Sequence, residues 1–105
     1  MQRKLVSSGT GWKLYMPKDV LKLLGFNPNE TEVLLKIDKN KLKITKADPD
    51  KNNQDLLIKK FNRCGNGYGI YISNSIIQFL EIDPELDEVK YTIENDVLNI
   101  SKAVL

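Results

Sequence analysis

The chain has 105 residues, 41% of them hydrophobic and 29% charged, with one cysteine, no histidine and a net charge of +2. That is one domain's worth of globular chain. One cysteine makes no internal disulfide, and without histidine there is no Cys/His set for zinc. No apolar run approaches a membrane span, and Met1-Gln2-Arg3-Lys4 begins no signal-peptide stretch. The expectation is a soluble cytoplasmic protein with no membrane attachment and no cofactor.

In chain order, a first strand around Arg3 and Lys4 leads into Ser7-Ser8-Gly9-Thr10-Gly11. Glycines there allow positive φ and close backbone approach, which suits an ordinary turn as well as a phosphate. No strand–turn–long helix context follows, so this is not a dinucleotide fingerprint. The second strand places Leu14 and Met16 inward and Lys13 and Tyr15 outward. Pro17 suits the first turn of a helix. Val20, Leu21 and Leu24 share one face of that helix, and Gly25 is placed to end it in the left-handed conformation. A helix of about seven residues is marginal alone and depends on packing. Val33, Leu35 and Ile37 then alternate with Glu32, Leu34 and Lys36, and Leu42 and Ile44 with Lys41, Lys43 and Thr45. This period-2 pattern predicts two strands with one buried face each, joined by a turn at Asp38-Lys39-Asn40.

A polar stretch containing Pro49 follows. Residues 48–58 read as a tether, able to span roughly 30 Å when extended. Beyond it the same order returns with every number raised by 56. Gly9, Gly11 and Tyr15 fall on Gly65, Gly67 and Tyr71; Leu24, Pro28 and Val33 fall on Leu80, Pro84 and Val89; Leu42 and Ile44 fall on Leu98 and Ile100. Ile70 and Ile72 take the inward places of Leu14 and Met16, with Gly69 and Tyr71 outward. Ser73 replaces Pro17 and is a good N-cap. Ile76, Ile77 and Leu80 form the apolar helical face. Glu81 replaces Gly25, so this helix is expected to end differently. Val89, Tyr91 and Ile93, then Leu98 and Ile100, flank a turn at Glu94-Asn95-Asp96. Repeat one covers 3–47 and repeat two 59–103. Each has 45 residues, near the size below which a chain seldom buries enough surface to fold alone. The two are expected to share one core across a pseudo-two-fold axis.

Charge divides along the same lines. Residues 1–24 carry +4 and 58–80 carry +3, whereas 25–50 are neutral and 81–105 carry −5. If the two basic first halves lie together, they make a basic face, the electrostatic footprint of a nucleic-acid binder.

The run Lys59-Lys60-Phe61-Asn62-Arg63-Cys64-Gly65-Asn66-Gly67-Tyr68-Gly69-Ile70-Tyr71-Ile72 resembles the opening of the AbrB/MazE-like (SpoVT-AbrB) swapped-hairpin family: basic residues, Gly-Asn, then a strand of alternating apolar residues. Gly9 through Trp12-Lys13-Leu14-Tyr15-Met16-Pro17-Lys18 resembles it again. Leu24-Gly25-Phe26, Pro28, Val33 and Lys41-Leu42-Lys43-Ile44 are similar to later family positions. The resemblance implies a mostly β fold with short helices: a swapped-hairpin β-barrel built from two tandem ββαββ repeats as an intrachain pseudo-dimer. It also implies double-stranded DNA binding, as a transcriptional regulator or antitoxin-like repressor. Tyr15 and Tyr71 stand where many members carry arginine.

On that reading Arg3, Lys4, Lys13 and Lys18 join Lys59, Lys60 and Arg63 on DNA. Most of these would meet phosphates, and the two arginines are able to reach guanine edges. Asn66 is a candidate for adenine or for capping its own loop. Tyr15 and Tyr71 either donate to phosphate or pack across the axis, and Trp12 and Tyr68 cover the barrel end. The alternative is a protein-interaction module that keeps the barrel without DNA binding, with the acidic run Glu81, Asp83, Glu85, Asp87 and Glu88 facing a basic partner. A further homodimer is also open. No nucleophile–base pair and no facing carboxylate pair is evident, so an enzyme is not expected.

Overall fold

The computed structural model describes residues 2–47 and 57–103. The tether falls outside them except for Leu57 and Ile58. Repeat one supplies β1 (Gln2–Lys4), β2 (Val6–Ser8), β3 (Gly11–Met16), α1 (Lys18–Leu24), β4 (Glu32–Asp38) and β5 (Lys41–Lys46). Repeat two supplies β6 (Leu57–Lys60), β7 (Asn62–Cys64), β8 (Gly67–Ile72), α2 (Asn74–Phe79), β9 (Glu88–Glu94) and β10 (Val97–Lys102). The chain is mostly β, with two short helices among the described residues.

The alternating segments become strands for the reason the pattern suggests. In β4 and β5, Val33, Leu35, Leu42 and Ile44 turn one face into the core and are 0–3% exposed. Val89, Tyr91, Leu98 and Ile100 do the same in β9 and β10. Ile93, expected inward, is instead 37% exposed. It sits one residue before the hairpin turn, where β9 has run past the core. The turn itself places Asn95 and Asp96 at φ 51° and 64°, the paired left-handed conformation of a two-residue hairpin that follows strand twist.

Each expected first strand is two strands. β1 and β2 are separated by Leu5, and β6 and β7 by Phe61. Both corner residues are buried, and at each the chain crosses from one sheet to the other. β6 starts at Leu57, inside the stretch read as tether. The glycine loops shrink to two-residue turns, Gly9-Thr10 and Gly65-Asn66, with Ser8 paired to Gly11 and Cys64 to Gly67.

One sheet runs β1-β9-β10-β5-β4-β6 and the other β2-β3-β8-β7. Replacing each strand by its counterpart 56 residues away reverses both orders and leaves both sheets unchanged. The registers agree. Leu14 faces Ile70 at the middle of β3–β8, and Lys43 faces Asn99 at the middle of β5–β10; each is paired with its own counterpart. The end strands cross over: β1 pairs with β9 and β6 with β4. The core between the sheets takes Leu14, Met16, Ile70 and Ile72 from one side and the β4, β5, β9 and β10 faces from the other.

The helices close the ends of this core with Val20, Leu21 and Leu24 and with Ile76, Ile77 and Leu80. Pro17 is the N-cap of α1 rather than its first helical residue. The Ser73 hydroxyl accepts from the Ile76 N–H. Gly25 has φ 67°, with its N–H on Lys22 O and the Phe26 N–H on Leu21 O, a Schellman ending. The different ending expected at Glu81 is not found. Glu81 takes φ 57°, its N–H meets Gln78 O, and the Ile82 N–H meets Ile77 O. Burial of Ile82, the counterpart of Phe26, holds a glutamate in a conformation suited to glycine.

Candidate nucleic-acid interface

The sheet of β2, β3, β8 and β7 has one face on the core. Lys13, Tyr15, Gly67, Gly69 and Tyr71 project on the other. Lys13 pairs with Tyr71 and Tyr15 with Gly69, so strand pairing between the repeats puts the two tyrosines and the lysine together. The Lys13 ammonium lies 4.7 Å from the Tyr71 ring centroid and donates to Arg63 O at 2.6 Å. The Tyr71 hydroxyl is 3.2 Å from Ser8 Oγ. That hydrogen bond, with the Lys13 charge second, holds the Tyr71 pKa below the usual tyrosine value.

Tyr15 is organised differently. The Arg3 guanidinium lies 4.7 Å from its ring centroid. The ring leans over Gly67, where a β-carbon would stand 2.9 Å from Tyr15 Cε2. Gly69 is buried too: a β-carbon there would stand 2.8 Å from Leu14 O and 3.1 Å from Cys64 Cβ. These two glycines are therefore explained by the chain's own packing, and the free backbone approach they suggest is already occupied. Beneath, the buried Tyr91 hydroxyl donates to Tyr15 O at 2.5 Å. Burial pushes the Tyr91 pKa well above the usual tyrosine value. On the core-facing side of β8, Tyr68 carries the Arg63 guanidinium 5.3 Å from its ring centroid. Tyr68 and Trp12 both pack partly buried against the core.

Arg3, Lys13, Tyr15 and Tyr71 thus meet on the outer face of this sheet, whereas Arg63 joins them only through its backbone oxygen, its guanidinium lying on Tyr68 at the other side of the edge strand β7. The other candidates do not join them. Lys4 and Lys60 stand on edge strands directly opposite Glu88 and Glu32, and a facing carboxylate offsets much of each lysine's field. Lys59 sits opposite the core residue Val33 and is half-buried. Lys18 and Asn66 line a separate cleft of about 490 Å³ beside α1, with Met16, Leu21, Phe26 and Tyr68. Ser8 and Tyr91 were not singled out by the sequence. Their contacts join residues 63 and 76 positions apart and follow only from the pairing of β3 with β8 and the stacking of the two sheets.

The acidic run has structural duties. Asp83 Oδ1 accepts from Glu85 N–H, Asp87 Oδ2 accepts from Asp83 N–H, and Lys102 pairs with Asp87 at 3.5 Å. Asn27 and Thr31 make the same two backbone contacts in repeat one. Among the described residues no helix is long and apolar enough to cross a membrane. Comparison with family models, with curated proteins and with solved structures finds no match.

Proposed function

We propose that this chain binds double-stranded DNA as a covalent pseudo-dimer of the swapped-hairpin kind, acting as a transcriptional regulator or antitoxin-like repressor. The observation that carries the reading is the stacking of Arg3 and Lys13 on Tyr15 and Tyr71 at the outer face of one sheet whose two middle strands come from different repeats, with Arg63 held on Tyr68 at the sheet's edge. A guanidinium stacked on a ring keeps its N–H groups in plane and free at the edge, so stacking orients it toward a phosphate or a guanine without consuming its donors. The self-matching strand order supports the pseudo-dimer. The two halves of the surface differ, Lys13 standing opposite in role to Gly69 and Ser8 to Cys64, so the favoured site is an imperfect palindrome.

The test is binding of a random-sequence duplex pool at a series of salt concentrations. Three phosphate contacts give a log–log slope of about −2.7, and the triple variant Arg3→Ala, Lys13→Ala, Arg63→Ala flattens it. Absence of binding at low salt, or a triple variant with an unchanged slope, overturns the reading.

A second reading, a protein-interaction module, is favoured by one observation. Lys13 is already engaged with Tyr71 and Arg63 O, while Leu23, Phe79 and Leu86 are 61–74% exposed. Capture of one stoichiometric protein partner, unaffected by the triple variant, supports it.

A further inference from the structure

The cleft beside α1 is lined in a way that its counterpart positions in repeat two do not reproduce. Its floor is Met16, Leu21, Phe26 and Tyr68, and Lys18 and Lys22 stand at its rim. Lys46 Nζ reaches over Gly25 at the same end. Raising these numbers by 56 replaces Lys18, Lys22 and Gly25 by Asn74, Gln78 and Glu81. The cationic rim is therefore confined to repeat one.

Repeat two presents the complement. Leu86 is 74% exposed at the tip of the loop between α2 and β9. Glu85 directly precedes it and Glu81 opens the same loop after α2, both exposed. Asp83 and Asp87 are taken up in the loop's own backbone contacts, which hold the tip in place and leave the two glutamates to face outward. The counterpart of Leu86 in repeat one is Glu30, so the leucine tip is also confined to one half.

We propose that the cleft of one chain receives the Leu86 loop of a second copy, joining chains head to tail. Leu86 enters between Leu21, Phe26 and Tyr68, and Glu81 and Glu85 meet Lys18 and Lys22. Charge complementarity argues for this occupant: an apolar cavity with a cationic rim and an apolar tip between carboxylates occur on the same chain. The contact is heterologous, so each bound copy leaves one cleft and one loop unused, and growth continues unless rotation closes a ring. One leucine and a few charges make a patch well below the standard interface, so the association constant is weak, with Kd on the order of 100 μM. The inference is independent of DNA binding and is tested without DNA.

The experiment is sedimentation of the full chain from about 10 μM to about 1 mM at low salt. The weight-average mass is expected to rise with concentration and to fall back on addition of salt, which screens exposed charges. Leu86→Ser removes the rise while the circular dichroism spectrum stays that of the parent. K18E/K22E alone and E81K/E85K alone also stay monomeric, because each carries cleft and loop of like charge. Mixing these two variants restores association, since each cleft then meets a loop of opposite sign. A parent chain that remains monomeric throughout, a Leu86→Ser chain that associates like the parent, or a mixture that stays monomeric overturns the proposal.

Discussion

The Tyr15 ring occupies the space a side chain at Gly67 would need, with Cε2 2.9 Å from where the β-carbon would lie. Tyr15 belongs to one repeat and Gly67 to the other, and Arg3 rests on the same ring. The contact is one place where the two halves of the chain have been fitted to each other rather than merely copied.

Gly67→Ala is expected to displace the ring and to destabilise the protein by about 1 kcal/mol, the lower end of overpacking costs. Gly69→Ala meets the backbone oxygen of Leu14 at 2.8 Å, in the middle pair of the sheet, where nothing is free to swing away. Its expected cost is about 3 kcal/mol. Urea denaturation compares them. In the double variant with Tyr15→Ala the Gly67 penalty should largely vanish while the Gly69 penalty persists, a coupling that a double-mutant cycle reads directly.

Glu81 offers the opposite sign. It holds φ 57° at the end of α2, where a side chain costs roughly 1–2 kcal/mol relative to glycine. Glu81→Gly is expected to stabilise by about 1 kcal/mol, after allowing for the greater freedom glycine has when unfolded. Gly25→Ala at the equivalent position of α1 is expected to destabilise by a similar amount. Equal effects of both substitutions on the denaturation midpoint would contradict the shared helix ending.

Ser73→Ala removes the hydroxyl that accepts from the Ile76 N–H. The loss should be about 1 kcal/mol, and Ser73→Asp should recover most of it, because aspartate caps equally well. Thermal unfolding of the two variants distinguishes a lost cap from a change at the surface.

Tyr91 gives the pH dependence. Its pKa is raised in the folded state by burial, so the folded protein keeps the proton after the unfolded chain has lost it. The stability contribution is whole below the ordinary tyrosine value of 10.0 and declines as pH rises above it. Tyr91→Phe loses the hydrogen bond to Tyr15 O, worth about 1 kcal/mol at neutral pH, but carries no ionisable hydroxyl. The gap between parent and variant should therefore close between pH 7 and pH 11. Tyr71, shifted the other way, is present in both proteins and cancels in the difference. A gap that stays constant would place Tyr91 in contact with water.

Much of the fold is legible in the residues because it rests on local pattern. Val33 to Ile44 and Val89 to Ile100 alternate, and burial follows the alternation except that Ile37 is only partly buried, Ile93 is exposed and Asn99 is buried. What the pattern does not carry is direction across the chain. Leu5 and Phe61 are ordinary apolar residues in sequence; their role as corners depends on two sheets lying where only the assembled protein puts them. The same applies to the surface. Arg3, Lys13, Tyr15, Arg63 and Tyr71 are recognisable by charge and by repeat; four of them share one face of the sheet, while the Arg63 guanidinium lies on Tyr68 at the other. Lys4 and Lys60 carry the same charge, yet strand register sets a glutamate opposite each, and register between distant strands is not written in either strand alone.

The pairing of β1 with β9 has a consequence for how the molecule comes into being. Gln2 to Lys4, made before every other described strand, finds its neighbours at Glu88 to Lys90. The four-stranded sheet cannot be completed until β8 has been synthesised, nor the six-stranded sheet until β10 has. Local hairpins such as β4–β5 are available early, but β5 waits for β10 and β3 waits for β8. Contacts this distant in sequence slow folding, because loop-closure entropy is spent before the pairing rewards it. The nascent first half should consequently spend its time on the ribosome with bare strand edges, and a stop codon after repeat one should yield a chain that finds its missing strands only in another copy of itself.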